Sequence, residues 1–193
     1  MDAVTLHARC VRSWEDRLTH VGGTTWDDST PCTQWSVRDL VNHVVGEDLW
    51  TGPLVGGATI EEGGHRFDGD VLGDDPLGTA RSAAADAVRA VGEAAPTDGR
   101  TVHLSYGEES LEEYLMQLAA DHLIHGWDLS AATGGPRDLD PELVTELAAW
   151  FAEREQMYRG AGIVGPRVNR SGDAQTDLLA AAGRDADWSA TPS

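Results

Sequence analysis

Two short helical stretches of this sequence carry residues that packing alone does not call for. In DHLIHGWDLS (121–130), Asp121, His125 and Asp128 fall four and three residues apart, on one stripe with Tyr114, Leu118 and Ala132. In NHVVGEDLW (42–50), His43 and Glu47 are also one turn apart, on a stripe with Leu40, Trp50 and Leu54. The apolar members turn both stripes toward a core, and the imidazoles and carboxylates go with them. An ionised carboxylate in a core costs several kcal/mol unless it is paired or coordinated.

A single buried His–Asp pair is explained by a structural hydrogen bond. A His and a carboxylate one turn apart on each of two helices are better explained by one shared cation, with His43, Asp121 and His125 as ligands. Two imidazoles and a carboxylate, with no thiolate, suit Zn²⁺, Ni²⁺, Fe²⁺ or Mn²⁺. Three protein ligands leave coordination positions open for water or substrate. Glu47 stands open between fourth ligand, general base and hydrogen-bonding support. Asp128 is spaced to orient the His125 imidazole or to act as a base, its alternative being a helix-end carboxylate bonded to Arg or backbone.

The remaining candidates are weaker. His7, His20, His65 and His103 read as solvated residues in exposed or loop contexts, and His122 reads as a packed histidine on the adjacent leucine-rich stripe. Cys32, after a proline in a loop, reads as a small buried side chain rather than a nucleophile. The seven tryptophans read as cover for the bundle. Walker-A, GxGxxG, GxSxG and CxxC patterns are missing, so nucleotide-fold, serine-hydrolase and zinc-ribbon chemistry have no support.

The elements that must position these residues are mostly helical. Apolar spacing predicts a helix over 3–22, stopped by Gly22-Gly23, and then a turn-rich loop, WDDSTPCTQW. Ser36, with Asp39 three residues later, opens a second helix over 36–51 that ends before Gly52-Pro53. Residues 56–75 read as a long Gly- and Asp-rich loop. Asp75-Pro76 starts an alanine-rich helix over 76–94, and TVHLSYG (101–107) reads as a short extended segment. Ser110 and Glu113 predict a capping box for a fourth helix running to Thr133, where Gly134-Gly135-Pro136 breaks it. Asp140-Pro141 opens a fifth helix over 141–158, and one short helix near 174–182 interrupts a coiled tail. The expectation is an all-α four-helix bundle with an additional C-terminal helix and coil tail, one domain over 1–193 with its core at residues 3–158 and its tail at 159–193.

The formal charge of −19 is carried by a chain without lysine, whose 14 basic residues are all Arg. Such a field repels phosphate backbones and anionic lipid, which argues against nucleic-acid and membrane-surface partners. Apolar runs are only a few residues, far below the roughly 20 needed to span a bilayer. The N-terminus carries acids early, unlike a secretory signal, and Cys10 and Cys32 make no disulfide framework. A cytoplasmic protein with reduced thiols is expected.

TPCTQWSVRDLVNHVVGED (30–48), DHLIHGWDLSAATG (121–134) and DLLAAAGRDADW (177–188) together resemble the DinB-like metal-binding bundles. In particular they resemble the branch related to mycothiol-dependent maleylpyruvate isomerase. That resemblance implies a divalent metal, commonly zinc or nickel and here zinc foremost, on side chains that map to His43, Asp121 and His125. The isomerase has Glu where this chain has Asp121, and the shorter side chain would draw the ion toward its helix. It also carries a further C-terminal domain for which this chain is short, so its maleylpyruvate activity is not carried over.

The implied chemistry is a low-molecular-weight thiol such as mycothiol, held as a metal-bound thiolate and delivered to a small electrophile. S-transfer and cis–trans isomerisation both fit that scheme, with the thiol and the electrophile as small-molecule partners. A homodimer is compatible with it. The residues leave two alternatives open: a metal-dependent hydrolase with Glu47 or Asp128 as base, and a non-catalytic metal-binding bundle.

Overall fold

A computed structural model describes residues 1–23 and 25–190 of the chain. Helix α1 (Ala3–Leu18) starts where the Asp2 carboxylate accepts the Thr5 backbone N–H at 2.8 Å. It ends four residues before the glycines, because the Thr19 hydroxyl caps the Asp16 carbonyl at 2.6 Å. The chain then tightens through His20 N–H to Arg17 O. Helix α2 (Val37–Val55) opens on a complete capping box between Ser36 and Asp39.

Contrary to the sequence expectation, α2 does not stop at Gly52-Pro53. Pro53 removes one helical N–H, a cost of about 3 kcal/mol in a helix interior. Beyond it, however, Leu54 and Val55 bury almost completely, each such side chain contributing about 1.5–3 kcal/mol. The expected long loop holds one short helix, α3 (Ile60–Gly63). Helix α4 (Pro76–Ala94) is capped by the Asp75 carboxylate, as the Asp-Pro pair implies.

The extended segment is half of a hairpin, β1 (Thr101–Leu104) against β2 (Gly107–Ser110), antiparallel with Thr101 opposite Ser110. Helix α5 (Leu111–Thr133) follows directly. Ser110 accepts the Glu113 N–H, but Glu113 does not reach back. Its carboxylate instead binds Arg154 and the Trp150 indole N–H, so the predicted capping box is only half formed. Gly134, at φ 74°, ends α5 in the left-handed conformation that glycine adopts without strain. The predicted fifth helix is two: α6 (Pro141–Ala152) and α7 (Glu155–Gly160). Helix α8 (Ala174–Ala181) is the last element among the described residues.

α1, α2, α4 and α5 form the four-helix bundle, with α1 against α5 and α4, and α2 against α4 and α5. Gly126 lets α1 and α5 approach closely: a Cβ there would lie 3.1 Å from Arg17 Cδ and 3.9 Å from the Trp14 backbone. One apolar cluster joins Trp14, Leu18, Leu40, Val41 and Leu129, and a second joins Leu54, Val91, Leu111 and Leu115. A third spreads from Leu6 and Trp127 to Leu143, Leu147 and Leu179, packing α6 and α8 onto the bundle. Among the described residues, no helix is long and apolar enough to cross a membrane.

Candidate metal centre

The stripes on α2 and α5 meet. His43 Nε2 and His125 Nε2 each lie 3.3 Å from the same oxygen, Asp121 Oδ1. One ligand atom from each of the three residues can be chosen so that all lie within 4.8 Å of one another. The His43 and His125 side chains are 30% and 9% exposed and Asp121 is 25% exposed, so the group opens on one side. Trp35, from the loop before α2, lays its indole against both imidazoles, with centroids 4.8 Å from His43 and 5.6 Å from His125.

Electrostatics tie the three together. Burial opposes ionisation of Asp121, but His125 and His43 outweigh it and hold the carboxyl well below its usual range. Burial likewise opposes a charged His125, and Asp121 and then Asp128 overcome it, raising the imidazole well above its ordinary value. The other oxygen, Asp121 Oδ2, is buried without a hydrogen-bond partner. Two imidazole nitrogens on one carboxylate, plus an unsatisfied buried oxygen, are a donor set that a divalent cation fits.

Behind His125 stands a second layer. Its Nδ1 lies 3.0 Å from Asp128 Oδ2, on the side of the ring away from Asp121. Asp128 is fully buried and accepts Arg184 Nη2 at 2.9 Å and Nε at 3.2 Å. Burial alone would raise Asp128, but Arg184 and His125 lower it. Cys32 Sγ joins this group, donating to Asp128 Oδ2 at 3.3 Å and accepting from Arg184 Nη2 at 2.8 Å. Cys32, His125 and Asp128 could themselves group around an ion, but the Arg184 guanidinium supplies the positive charge there.

Glu47 lies one turn from His43, half-buried on the same cavity wall. Burial, and after it the neighbouring Asp121 charge, push its carboxyl upward. The cavity itself measures about 1090 Å³ and is lined by all of these except Asp128.

The sequence model for the mycothiol maleylpyruvate isomerase N-terminal domain matches residues 7–130. The chain belongs to that family. It is a DinB-like metal-binding domain family, and its match spans His43, Glu47, Asp121, His125 and Asp128. Two uncharacterized proteins of Mycobacterium tuberculosis, from strains H37Rv and CDC 1551 / Oshkosh, are each 34% identical to this chain over 163 residues. The aligned part covers 84% of this chain and 85% of each relative. No solved structure matches.

Two sequence expectations are corrected. Cys32 is not a small packed side chain: it is half-buried, lines the cavity and bonds to Asp128 and Arg184. His7 is not solvated: it is fully buried, edge-on to His122 with centroids 5.8 Å apart, and burial pushes its pKa down to about 3. Its spacing with Ala3, Cys10 and Trp14 is the signal that places it on the inner stripe of α1. His122 packs as expected, with the added feature that its Nε2 lies 3.1 Å from the fully buried Asp48.

Arg184 and Trp35 touch this group, and the sequence alone does not single them out. The signal for Arg184 was indirect: an inward Asp128 needs a cationic partner, and Arg184 lies in the tail segment that resembles the family.

Proposed function

We propose that this member of the mycothiol maleylpyruvate isomerase N-terminal domain family is a divalent-metal-dependent enzyme. It would use a low-molecular-weight, mycothiol-like thiol for S-transfer to, or cis–trans isomerisation of, a small electrophile. The observation that carries the reading is the convergence of His43 and His125 on Asp121 at the wall of a large cavity. These three side chains would hold the cation, zinc before nickel, iron or manganese. When bound, such a cation supplies a positive charge that keeps a coordinated thiol deprotonated at neutral pH.

The chain's own residues do the rest. Asp128 accepts a hydrogen bond from His125 Nδ1–H, which leaves the Nε2 lone pair directed at the Asp121 side. Arg184 locks Asp128 in that position, and Trp35 keeps water off one face of both imidazoles. Glu47, on the cavity wall beside His43, accepts the proton that the thiol gives up. A reducing, cytoplasmic setting suits the scheme, since the cosubstrate must remain a thiol.

The test is metal- and thiol-dependent conversion of a broad panel of electrophiles, with mycothiol or a surrogate thiol, by the metal-loaded protein. S-transfer is read as thiol loss and isomerisation as cis–trans conversion with the thiol recovered; neither with any electrophile would count against the proposal. A second reading, hydrolysis, is favoured by the same Glu47, which could act as base toward water instead. It predicts turnover with no thiol present.

A further inference from the structure

The cavity is larger than a three-residue metal group requires. At about 1090 Å³ it exceeds the roughly 300–1000 Å³ of ordinary ligand pockets, enough for a thiol cosubstrate and a second molecule side by side. Beyond Asp121 and Ile124 its wall changes character. α6 and α7 contribute Trp150, Phe151 and Tyr158, three aromatic rings within 5.9–6.2 Å of one another.

At its mouth stand Tyr106, Met157 and Ile163, exposed by 64, 60 and 65%. Only one other large apolar side chain among the described residues, Met1, is exposed. Scattered exposed apolar residues are ordinary. Three of four gathered from a hairpin, a short helix and a loop around one opening are not scattered.

Charge narrows what can enter. The guanidinium of Arg184, the single Lys or Arg side chain lining the cavity among the described residues, is committed to Asp128 and Cys32. Arg154, beside Trp150, is held by two bonds to Glu113 at 2.6 and 2.7 Å. Glu47, Glu109 and Glu113 line the same space. A di-anionic ligand would meet carboxylates in the outer part with no free cation to receive it, at a cost that burial increases.

We infer that the outer compartment binds an uncharged, aromatic-sized apolar molecule between Tyr106, Met157 and Ile163. Its reactive end then points inward to the His43–Asp121–His125 group. The inference rests on the proposed function only for the identity of that molecule as the electrophile; the binding itself requires no metal. The α6–α7 part of the wall lies outside the matched residues 7–130.

The experiment is a fluorescence titration of the full chain with N-phenyl-1-naphthylamine, an uncharged probe that brightens in apolar surroundings. Saturable binding is expected, with maleate dianion failing to displace the probe. Met157→Asp and Ile163→Asp, both at exposed positions, should each weaken binding about tenfold or more while keeping the wild-type melting temperature and metal content. His43→Ala should bind the probe as the wild type does. That separates this inference from the metal reading: a wild-type chain that takes up no metal but still binds the probe sinks the proposed function and leaves the compartment standing.

Absence of saturable binding, unchanged affinity in both aspartate variants, or displacement by maleate would overturn the inference. So would sedimentation showing a stable dimer in which both aspartate variants become monomeric, because the face would then be occupied by a second copy.

Discussion

The interface between α2 and α5 holds two His–Asp groups built from the same residue types, and they differ in nearly everything else. At the cavity, two imidazoles share one carboxylate, Asp121, and the group is partly open. The second group, which is sealed, has one imidazole, His122, against one carboxylate, Asp48, both with fully buried side chains, and a leucine carbonyl takes His122 Nδ1 at 2.8 Å. Each group leaves one buried aspartate oxygen without a partner, so that feature alone does not separate them. Convergence of several donors and access to a cavity do. The open group has the form of a binding site, and the closed one that of a structural ion pair.

The comparison can be broken at the closed pair first, where the largest effect is expected. His122→Ala removes one partner and strands the Asp48 charge in the core, costing about 3–5 kcal/mol of stability. Denaturant unfolding should show that loss while metal content stays at the wild-type level. If the variant instead kept full stability and lost its metal, the two groups would have been assigned the wrong way round.

A smaller effect separates the layers of the open group. Asp128→Asn, which keeps the shape but not the charge, should weaken metal binding about 10–100-fold without abolishing it. Competition with a chromophoric chelator measures this, and wild-type affinity would mean that the contact of Asp128 with His125 is only packing.

The mildest test is pH. His7 is pushed down to about 3 by burial and then by the nearby His122. Between that value and about 6.5, the unfolded imidazole ordinarily holds a proton that the native one does not, so stability falls as pH drops through this window. His122 goes the other way: burial opposes it, but Asp48 raises it to about 9. The native state therefore keeps a proton that the unfolded state releases, and that stabilisation is lost as pH rises from about 6.5 through 9. Thermal melts should peak between the two windows. His7→Leu should flatten the acid limb and leave the alkaline one, and unchanged limbs would contradict the burial of His7 as a neutral ring.

Much of this was legible in the chain because the signals are local. Asp75-Pro76, Asp140-Pro141 and the Ser36–Asp39 box each satisfy helix-end N–H groups within a few residues, and the structure starts its helices there. The pairing of His43 with Asp121 and His125 was legible because one-turn spacing on two inward stripes leaves few other ways to satisfy the charges. What escaped depends on distance along the chain. Cys32 and Arg184 are 152 residues apart and meet only because α8 folds back onto the bundle. The continuation of α2 through Pro53 was hidden because local helix breaking was outweighed by burial of Leu54 and Val55, which only the assembled bundle supplies.

The most direct measurement is elemental analysis of protein purified without chelators, for the wild type, His43→Ala, His125→Ala and His122→Ala. Stoichiometric divalent metal is expected in the wild type and in His122→Ala, and its loss in both His43→Ala and His125→Ala, each of which remains helical. Full metal content in His43→Ala and His125→Ala would contradict the assignment of the shared site.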